Sequence, residues 1–527
     1  RIRDDEVSIL PADKSSGNGA SGNELWGLDT MDTLEALECS EGKGVRSLVI
    51  GPAGERLSRI ATIHTASSSA AGQGGFGGVM GSKRLKAISV VGSGRVSLAQ
   101  PGTIVSLARV LARMLKEAGA GGPAYFGNDL DKLNRALAAE GNGRARCEPC
   151  TEGCLTPCAT RFEDVPGVVY DRKWSGTWFC VAAILLQGPP DWVPPEIQAR
   201  YDWRLDRRAA FEMNVLSNRY GLNHFDLLMG IVPWLIACCK EGSLSSLNGT
   251  PMEWYSPAVW AELLHAIAYR EGLGDVLAEG GWAAAQALRT GEEIARGLYA
   301  GWGHTSHWDG HTGTGPPFPH WLVSALQWMS DTRDPFDSGH GSLWPNEANR
   351  LAGALDAPGE REAALDKIAA MGQHLYGSSD AVLPQGGYSG KARMGHWHTV
   401  RPVMLDCVPV DDLQFPLIYN EHLPDGYWRL DVDDLGEIEG PSVEYHLFRA
   451  GTGLDWPQSE FDRAAERVCA MERALQVRHW GRDRRLDETL LPYFERIEAL
   501  QSPFLQERYG LDRQQFEPVL GEFYALH

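Results

Sequence analysis

From Ala71 to Lys83 the chain reads Ala-Gly-Gln-Gly-Gly-Phe-Gly-Gly-Val-Met-Gly-Ser-Lys, six glycines in thirteen residues. Glycines are costly to order and are retained where a backbone must take positive φ or come close to another backbone or a ligand. The run lies within 61 consecutive residues, between Glu55 and Glu117, that hold no Asp or Glu. At the chain average that stretch would carry roughly eight. Over the same span stand Arg56, Arg59, Lys83, Arg84, Lys86, Arg95, Arg109, Arg113 and Lys116. The pattern predicts an anion cradle, with backbone N–H groups of Gly72, Gly74, Gly75 and Gly77 approaching a phosphate and Lys83 or Arg84 adding charge. A tight turn on a solvated basic face is the simpler reading of the same residues. Gly72, Gly74 and Gly77 also satisfy G-x-G-x-x-G. A dinucleotide site, however, wants a clean preceding strand and an acid about 20 residues on, so a different phosphate-bearing cofactor is expected.

The rest of the chain bounds the partners. Its 527 residues are 43% apolar and 22% charged, globular proportions that exclude fibrous and wholly disordered classes. A net charge of -20 has the wrong sign for a protein whose main partner is a nucleic acid or an anionic membrane. The longest apolar run, Gly230 to Cys239, is too short to span a bilayer, and no signal peptide opens the sequence, so a cytoplasmic location is expected. The first residue is Arg1 and not Met, which points to a processed or incomplete chain.

Four of the ten cysteines, Cys147, Cys150, Cys154 and Cys158, fall within twelve residues as C-x2-C-x3-C-x3-C. A disulfide scaffold would scatter them. Thiolates from one short loop suit an iron–sulfur cluster better than a structural zinc with two separated pairs. Strand-like runs at Ser47–Ile50 and Ala87–Val91 mark a sheet region in the first hundred residues. Helical periodicity starts at Pro101, with Ile104, Leu107, Leu111 and Leu115 on one face. Further helices are predicted for Arg207–Tyr220 stopped by Gly221, Pro257–Glu271 stopped by Gly272, Arg361–Tyr376 stopped by Gly377, and Glu460–Val477. Trp302 to Ser342 reads as a long site-forming loop of Gly, Pro, His and Asp.

These residues resemble a known family. Ile50-Gly51-Pro52-Ala53-Gly54-Glu55, then Ala70-Ala71-Gly72 and Gly77-Gly78-Val79-Met80-Gly81-Ser82-Lys83, is similar to the signature of the tungsten-containing aldehyde ferredoxin oxidoreductases. Arg270–Gly280, Glu472-Arg473 and Asp487–Phe494 fit its later motifs. The resemblance implies an α+β chain: residues 1–100 as the C-terminal part of a β-rich pterin-binding domain, 101–310 as a helical domain carrying the cluster cysteines, and 311–527 as a helical domain completing the site. It also implies a bis-pyranopterin tungsten or molybdenum centre and one [4Fe-4S] cluster. The expected partners are a ferredoxin or a partner iron–sulfur subunit and a small carbonyl or acyl substrate, with a homodimer left open. Family members begin with a further stretch that supplies part of the pterin site, so either the chain is truncated or the site is completed otherwise.

Departures from the pattern shift the expectations. The two pterin-holding D-x-x-G-L-[D/C] motifs are matched by Asn218, Gly221, Leu222 and Asn223, and by Asp406 through Asp411. Asp411 stands where the family has its fourth cluster cysteine, leaving Cys407 or Cys158 to join Cys147, Cys150 and Cys154, with Cys407 preferred by analogy. Ser175 stands near the catalytic Glu of the aldehyde oxidisers. Base duty would then pass to a histidine, His320 or His340 of the 302–342 tract or His396 or His398, with Arg333 orienting a substrate carboxylate or thioester. A zinc site from His304, His307 and His311 is a competing reading. The function expected is two-electron oxidation of aldehydes or its reverse; the alternatives are the active-site subunit of an aromatic acyl-CoA reductase and a cofactor-poor electron-transfer scaffold.

Overall fold

The computed structural model describes residues 1–12, 24–65, 69–117, 144–147, 160–178, 182, 185, 202–299, 320–330, 356–408, 429–439, 442–495 and 511–526. His340, Arg333, Asp411, Cys150, Cys154 and Cys158, with His304, His307 and His311, lie outside the described residues.

The N-terminal region is a six-stranded sheet with three short helices. Its strands are β1 (Ile2–Arg3), β2 (Glu6–Val7), β3 (Arg46–Ile50), β4 (Ile63–His64), β5 (Ala70–Ala71) and β6 (Ala87–Val91), in the spatial order β2-β1-β6-β3-β4-β5. β3 and β6 pair antiparallel through Leu48 and Ile88, and both strands match the apolar runs read from the sequence. Helix α1 (Thr30–Glu41) is capped by Asp29, whose carboxylate accepts from the Asp32 N–H. Helix α2 (Pro52–Glu55) follows β3, and α3 (Phe76–Ser82) follows the glycine turn.

The described residues divide into two compact units. The first joins Arg1–Arg95 to the described part of Gly121–Thr305, and the second joins Val96–Ala120 to the described part of Ser306–His527. The first unit has a core rich in tryptophan and phenylalanine, with Trp178, Trp203, Phe211, Trp234 and Trp260 all buried. Its helix Arg207–Tyr220 starts at Asp206, whose side chain accepts from the Arg208 and Ala209 N–H groups, and stops where Gly221 turns left-handed at φ 74°. The predicted helix from Pro257 ends at Tyr269, two residues short of expectation, because Arg270 takes the left-handed cap at φ 57° and anchors its guanidinium on the Arg56 and Leu57 carbonyls.

The helix Pro101–Glu117 belongs to the second unit. Leu107, Val110 and Leu111 pack there on Leu405, Leu430, Val432, Ile438 and Val443. Part of the tract read as loop is helical: His320–Ser330 forms a helix whose side chains from Trp321 to Met329 are buried. The helices Pro358–Tyr376, Lys391–Cys407 and Gln458–Trp480 complete the described frame. Among the described residues no helix is long and apolar enough to cross a membrane.

Candidate functional site

The glycine run proves to be two things. Gly77, Gly78 and Gly81 sit where α3 meets the segment from Gly54 to Thr62 backbone to backbone. An added Cβ would come within 2.5 Å of the Thr62 carbonyl oxygen at Gly77, 2.6 Å of the Ser58 oxygen at Gly78, and 1.9 Å of the Gly54 oxygen at Gly81. Gly75, at φ 67°, would place its Cβ 2.4 Å from the Arg59 oxygen. These four glycines are required by packing alone. Gly72 and Gly74 are different. Gly74 is exposed at φ 85°, where an added Cβ would meet only the Phe76 ring, 2.9 Å away, and Gly72 would meet only the Asn223 side-chain oxygen, 3.7 Å away. The backbone open to a ligand is therefore the short turn from Gly72 to Gly74, between β5 and α3.

A second strand of chain faces that turn. The Asn223 N–H donates to the Ile60 carbonyl at 2.9 Å, Ala61 bridges Leu222, and the Thr62 N–H donates to the Gly221 carbonyl at 2.9 Å. The turn of Gly221, Leu222 and Asn223, predicted from a remote motif, is thus laced to the segment that leads into β4. Asn223 is buried; its amide donates to Asp226 at 2.7 Å and its oxygen accepts from the Phe225 N–H at 3.0 Å. Burial pushes the Asp226 carboxyl up to about 7, against the lowering effect of the Asn223 amide. The Asn218 carbonyl, at the head of the same motif, accepts from the Thr30 hydroxyl at 2.9 Å.

Lys83 and Arg84 stand exposed beyond the far end of α3. Arg84 lines a groove with Arg1, Trp26, Glu41 and Lys86. Lys86, another cation of the acid-free span, is buried and bonded to Glu55 at 2.5 Å. The structure brings Gly72 and Asn223 together and places Lys83 and Arg84 elsewhere.

The turn between the strands Thr160–Pro166 and Lys173–Trp178 is held by one buried carboxylate. Glu212 accepts from the N–H groups of Val168, Val169 and Tyr170 at 2.6, 2.8 and 3.0 Å and from the Trp174 indole at 2.8 Å. Ser175 is engaged as well, its oxygen accepting from the Asp164 N–H at 3.1 Å beside a bulge in the ladder. Cys147 ends the strand Arg144–Cys147, which pairs with the strand Thr160–Pro166.

In the second unit His320 opens the helix His320–Ser330, while Asp406 and Cys407 are exposed at the end of the helix Lys391–Cys407. His398 is buried, its ring 2.8 Å from the Tyr376 hydroxyl and its carbonyl bonded by Gln327, so it is a core histidine. His396 is half-buried and pushed below the usual imidazole range by burial. Among the described residues no three His, Cys, Asp or Glu side chains are gathered as a metal site.

Sequence reasoning missed two buried imidazoles beside the turn. His64 lies on β4 opposite Ala70, and His224 follows Asn223 directly. Neither nitrogen of His64 has a hydrogen-bond partner, and neither does Nε2 of His224. Burial pushes them down to about 3 and about 4, the proximity of His224 adding to the effect on His64. The available signal was the alternation Thr62, His64 in an extended segment and the position of His224 next to a motif residue.

A six-stranded sheet is followed by helices, and the Gly-Leu-Asn turn is laced to the segment that leads into β4; comparisons place this arrangement. Residues 1–92 match the model of the aldehyde ferredoxin oxidoreductase N-terminal domain, and residues 93–299 match that of its domains 2 and 3. The chain belongs to the aldehyde ferredoxin oxidoreductase family. It is 28% identical over 332 residues to the tungsten-containing aldehyde ferredoxin oxidoreductase of Pyrococcus abyssi, covering 56% of this chain and 49% of that protein. With the Pyrococcus horikoshii enzyme it shares 28% over 320 residues, 54% and 47% of the two chains. The chain thus spans about half the length of the curated relatives it matches. A solved structure, the active-site complex BamBC of benzoyl coenzyme A reductase with 1,5-dienoyl-CoA, superposes with a TM-score of 0.58 over 94% of this chain and 77% of that one, at 15% identity, a likeness of fold.

Proposed function

We propose that this chain is the catalytic polypeptide of a tungstopterin oxidoreductase that oxidises an aldehyde with water to the carboxylate, or runs the reverse, the two electrons passing to a ferredoxin-type protein. The observation that carries it is the open turn at Gly72 and Gly74 facing the buried Asn223. A backbone without side chains beside a buried amide suits a phosphate-bearing heterocycle, and the residues present fit the pterin that the family implies. The bound group would supply a Lewis-acidic, two-electron metal. Gly72 and Gly74 would hold its phosphates and Asn223 its polar edge. Asp226, pushed up to about 7, holds or releases a proton beside Asn223 near neutral pH. A [4Fe-4S] cluster on Cys147, Cys150 and Cys154, with Cys407 or Cys158, would pass electrons on singly.

A second reading, the active-site subunit of an aromatic acyl-CoA reductase, is favoured by Ser175. Its oxygen is bonded to a backbone N–H, and a neutral hydroxyl without an activating partner is no general base. Under the first reading base duty would pass to His320 or His340, and under either reading Arg333 would orient a substrate carboxylate or thioester carbonyl. Protein purified without oxygen decides between the readings. Tungsten or molybdenum near one per chain, with about four irons, supports a loaded enzyme, and its absence returns the chain to a scaffold role. Turnover of aldehydes with a viologen acceptor supports the first activity; reduction of an aromatic acyl-CoA alone supports the second. Loss of iron in Cys150→Ala tests the cluster.

A further inference from the structure

Five buried polar atoms in one neighbourhood of the first unit have no hydrogen-bond partner: Thr62 Oγ1, His64 Nδ1 and Nε2, Asn214 Oδ1 and His224 Nε2. Buried groups of this kind are nearly always bonded, because a lost partner costs the full desolvation of the group. The other ring nitrogen of His224 is bonded to the Asn214 backbone, and Asn214 also donates its amide to the Thr177 carbonyl at 2.9 Å, so these two side chains are fixed in place.

Their placement is not random. β4 pairs with β5 through Ile63 with Ala71 and His64 with Ala70. Strand alternation puts Thr62 and His64 on one face of β4, and β5 ends at Ala71, directly before Gly72, which turns out of the strand at φ -77° and ψ -64°. The missing Cβ of Gly72 points toward Asn223 Oδ1, 3.7 Å away. His224 is the next residue. The unpaired atoms thus gather beside the glycine turn, with His64 opposite Ala70 just before it and His224 next to the Asn223 that Gly72 faces.

We propose that His64 and His224 are recognition residues for the nitrogen-rich edge of a fused heterocycle, supplying uncharged ring donors and acceptors to the pterin that Gly72, Gly74 and Asn223 would hold. The inference rests on the proposed function. The His64 imidazole offers one donor and one acceptor in a fixed plane and His224 adds the acceptor Nε2, a set complementary to the alternating amide and amine groups of such a ring. Burial keeps both rings neutral, as a neutral heterocycle requires. They are positioning residues with no part in bond-making.

The test compares wild type with His64→Met and His64→Gln, each purified without oxygen from cells supplied with tungstate. Pterin is measured per chain by fluorescence after oxidation, and melting temperature is measured on the pterin-free forms. His64→Met should lose pterin at least about tenfold while its pterin-free form melts about 2 to 4 °C higher, since two unpaired buried atoms are gone. His64→Gln, which keeps a donor and an acceptor, should retain more pterin than His64→Met. A loaded wild type with an equally loaded His64→Met overturns the inference and leaves the proposed function standing. A His64→Met that melts lower than wild type overturns it too, because the ring would then already be satisfied without a ligand. A wild type devoid of pterin removes the proposed function, and this inference with it.

Discussion

The Lys86 ammonium lies 2.5 Å from the Glu55 carboxylate, with the two side chains 1% and 7% exposed. The same ammonium donates to the Leu28 carbonyl at 2.7 Å, and the Gly27 N–H donates to Glu55 at 2.9 Å. The pair thus ties the end of α2 and the residue before β6 to the segment that enters α1. Glu55→Ala leaves a buried ammonium short of its partner and is expected to cost about 3 to 5 kcal/mol. The double variant Glu55→Leu with Lys86→Met should recover most of that. Urea unfolding of the three proteins checks it, and a double variant no more stable than Glu55→Ala would refute the charge-pair account.

The glycines separate into two groups by consequence. Gly81→Ala drives a methyl into the Gly54 carbonyl, where the 1.9 Å approach demands a backbone shift, and should cost about 3 kcal/mol or more. Gly72→Ala meets ordinary contact at 3.7 Å and should leave the melting temperature within about 2 °C. Gly74→Asp puts a negative side chain on the open turn and should empty the pterin site of a folded protein. Circular dichroism for stability and pterin fluorescence for occupancy distinguish the two classes. Full occupancy in Gly74→Asp would disprove the cradle.

Opposed proton linkages run through the same neighbourhood. His64 and His224 are depressed from 6.5 to about 3 and about 4. The unfolded chain therefore takes up protons that the folded one refuses, and the stability of the neutral rings is lost as pH falls below about 6.5. Asp226 is raised from 3.8 to about 7, so its contribution is present in acid and is lost as pH rises through about 7. In cofactor-free protein Asp226→Asn should flatten the loss of stability that Asp226 imposes as pH rises from about 4 to about 7, and His64→Met should flatten the decline on the acid side. Urea midpoints from pH 5 to 8 measure both. An Asp226→Asn curve that superimposes on wild type would show an ionised Asp226 in the fold.

Lys391 is fully buried, with its ammonium 3.3, 3.0 and 3.4 Å from the carbonyls of Asp380, Ala381 and Ser389. It closes the turn that starts the helix Lys391–Cys407 after Gly390, itself left-handed at φ 68°. Lys391→Met keeps the stem and removes the donors, at an expected cost of about 2 to 3 kcal/mol. Thermal unfolding that is unchanged would mean that water replaces the ammonium.

Elements with local punctuation were legible in the sequence. Asp206 and Gly221 bound the helix Arg207–Tyr220 by their own capping chemistry, and β6 follows its β-branched run residue for residue. The helix His320–Ser330 was hidden because histidine and proline before it read as loop, while its stability comes from burying Leu322, Val323, Ala325 and Leu326. At the site, the motif positions Gly72 and Asn223 could be named, but the division of glycines could not. It depends on Gly54, Ser58 and Thr62 crossing behind α3, a tertiary relation with no local signal. His64 and His224 were passed over for the same reason: their distinction is the lack of partners, which no spacing reveals.

The helix Pro101–Glu117 follows the first sheet in the chain yet buries Leu107, Val110 and Leu111 among residues numbered 405 to 443. A gene fragment cut anywhere between 120 and 400 therefore carries an amphipathic helix stripped of its counterpart. Its apolar stripe would face water and invite self-association. Separate production of the first unit calls for excising residues 96–120 and rejoining the ends, and production of the second calls for grafting that helix onto its N-terminal side. Modular exchange in this architecture must respect an exon-like insertion that linear domain borders conceal.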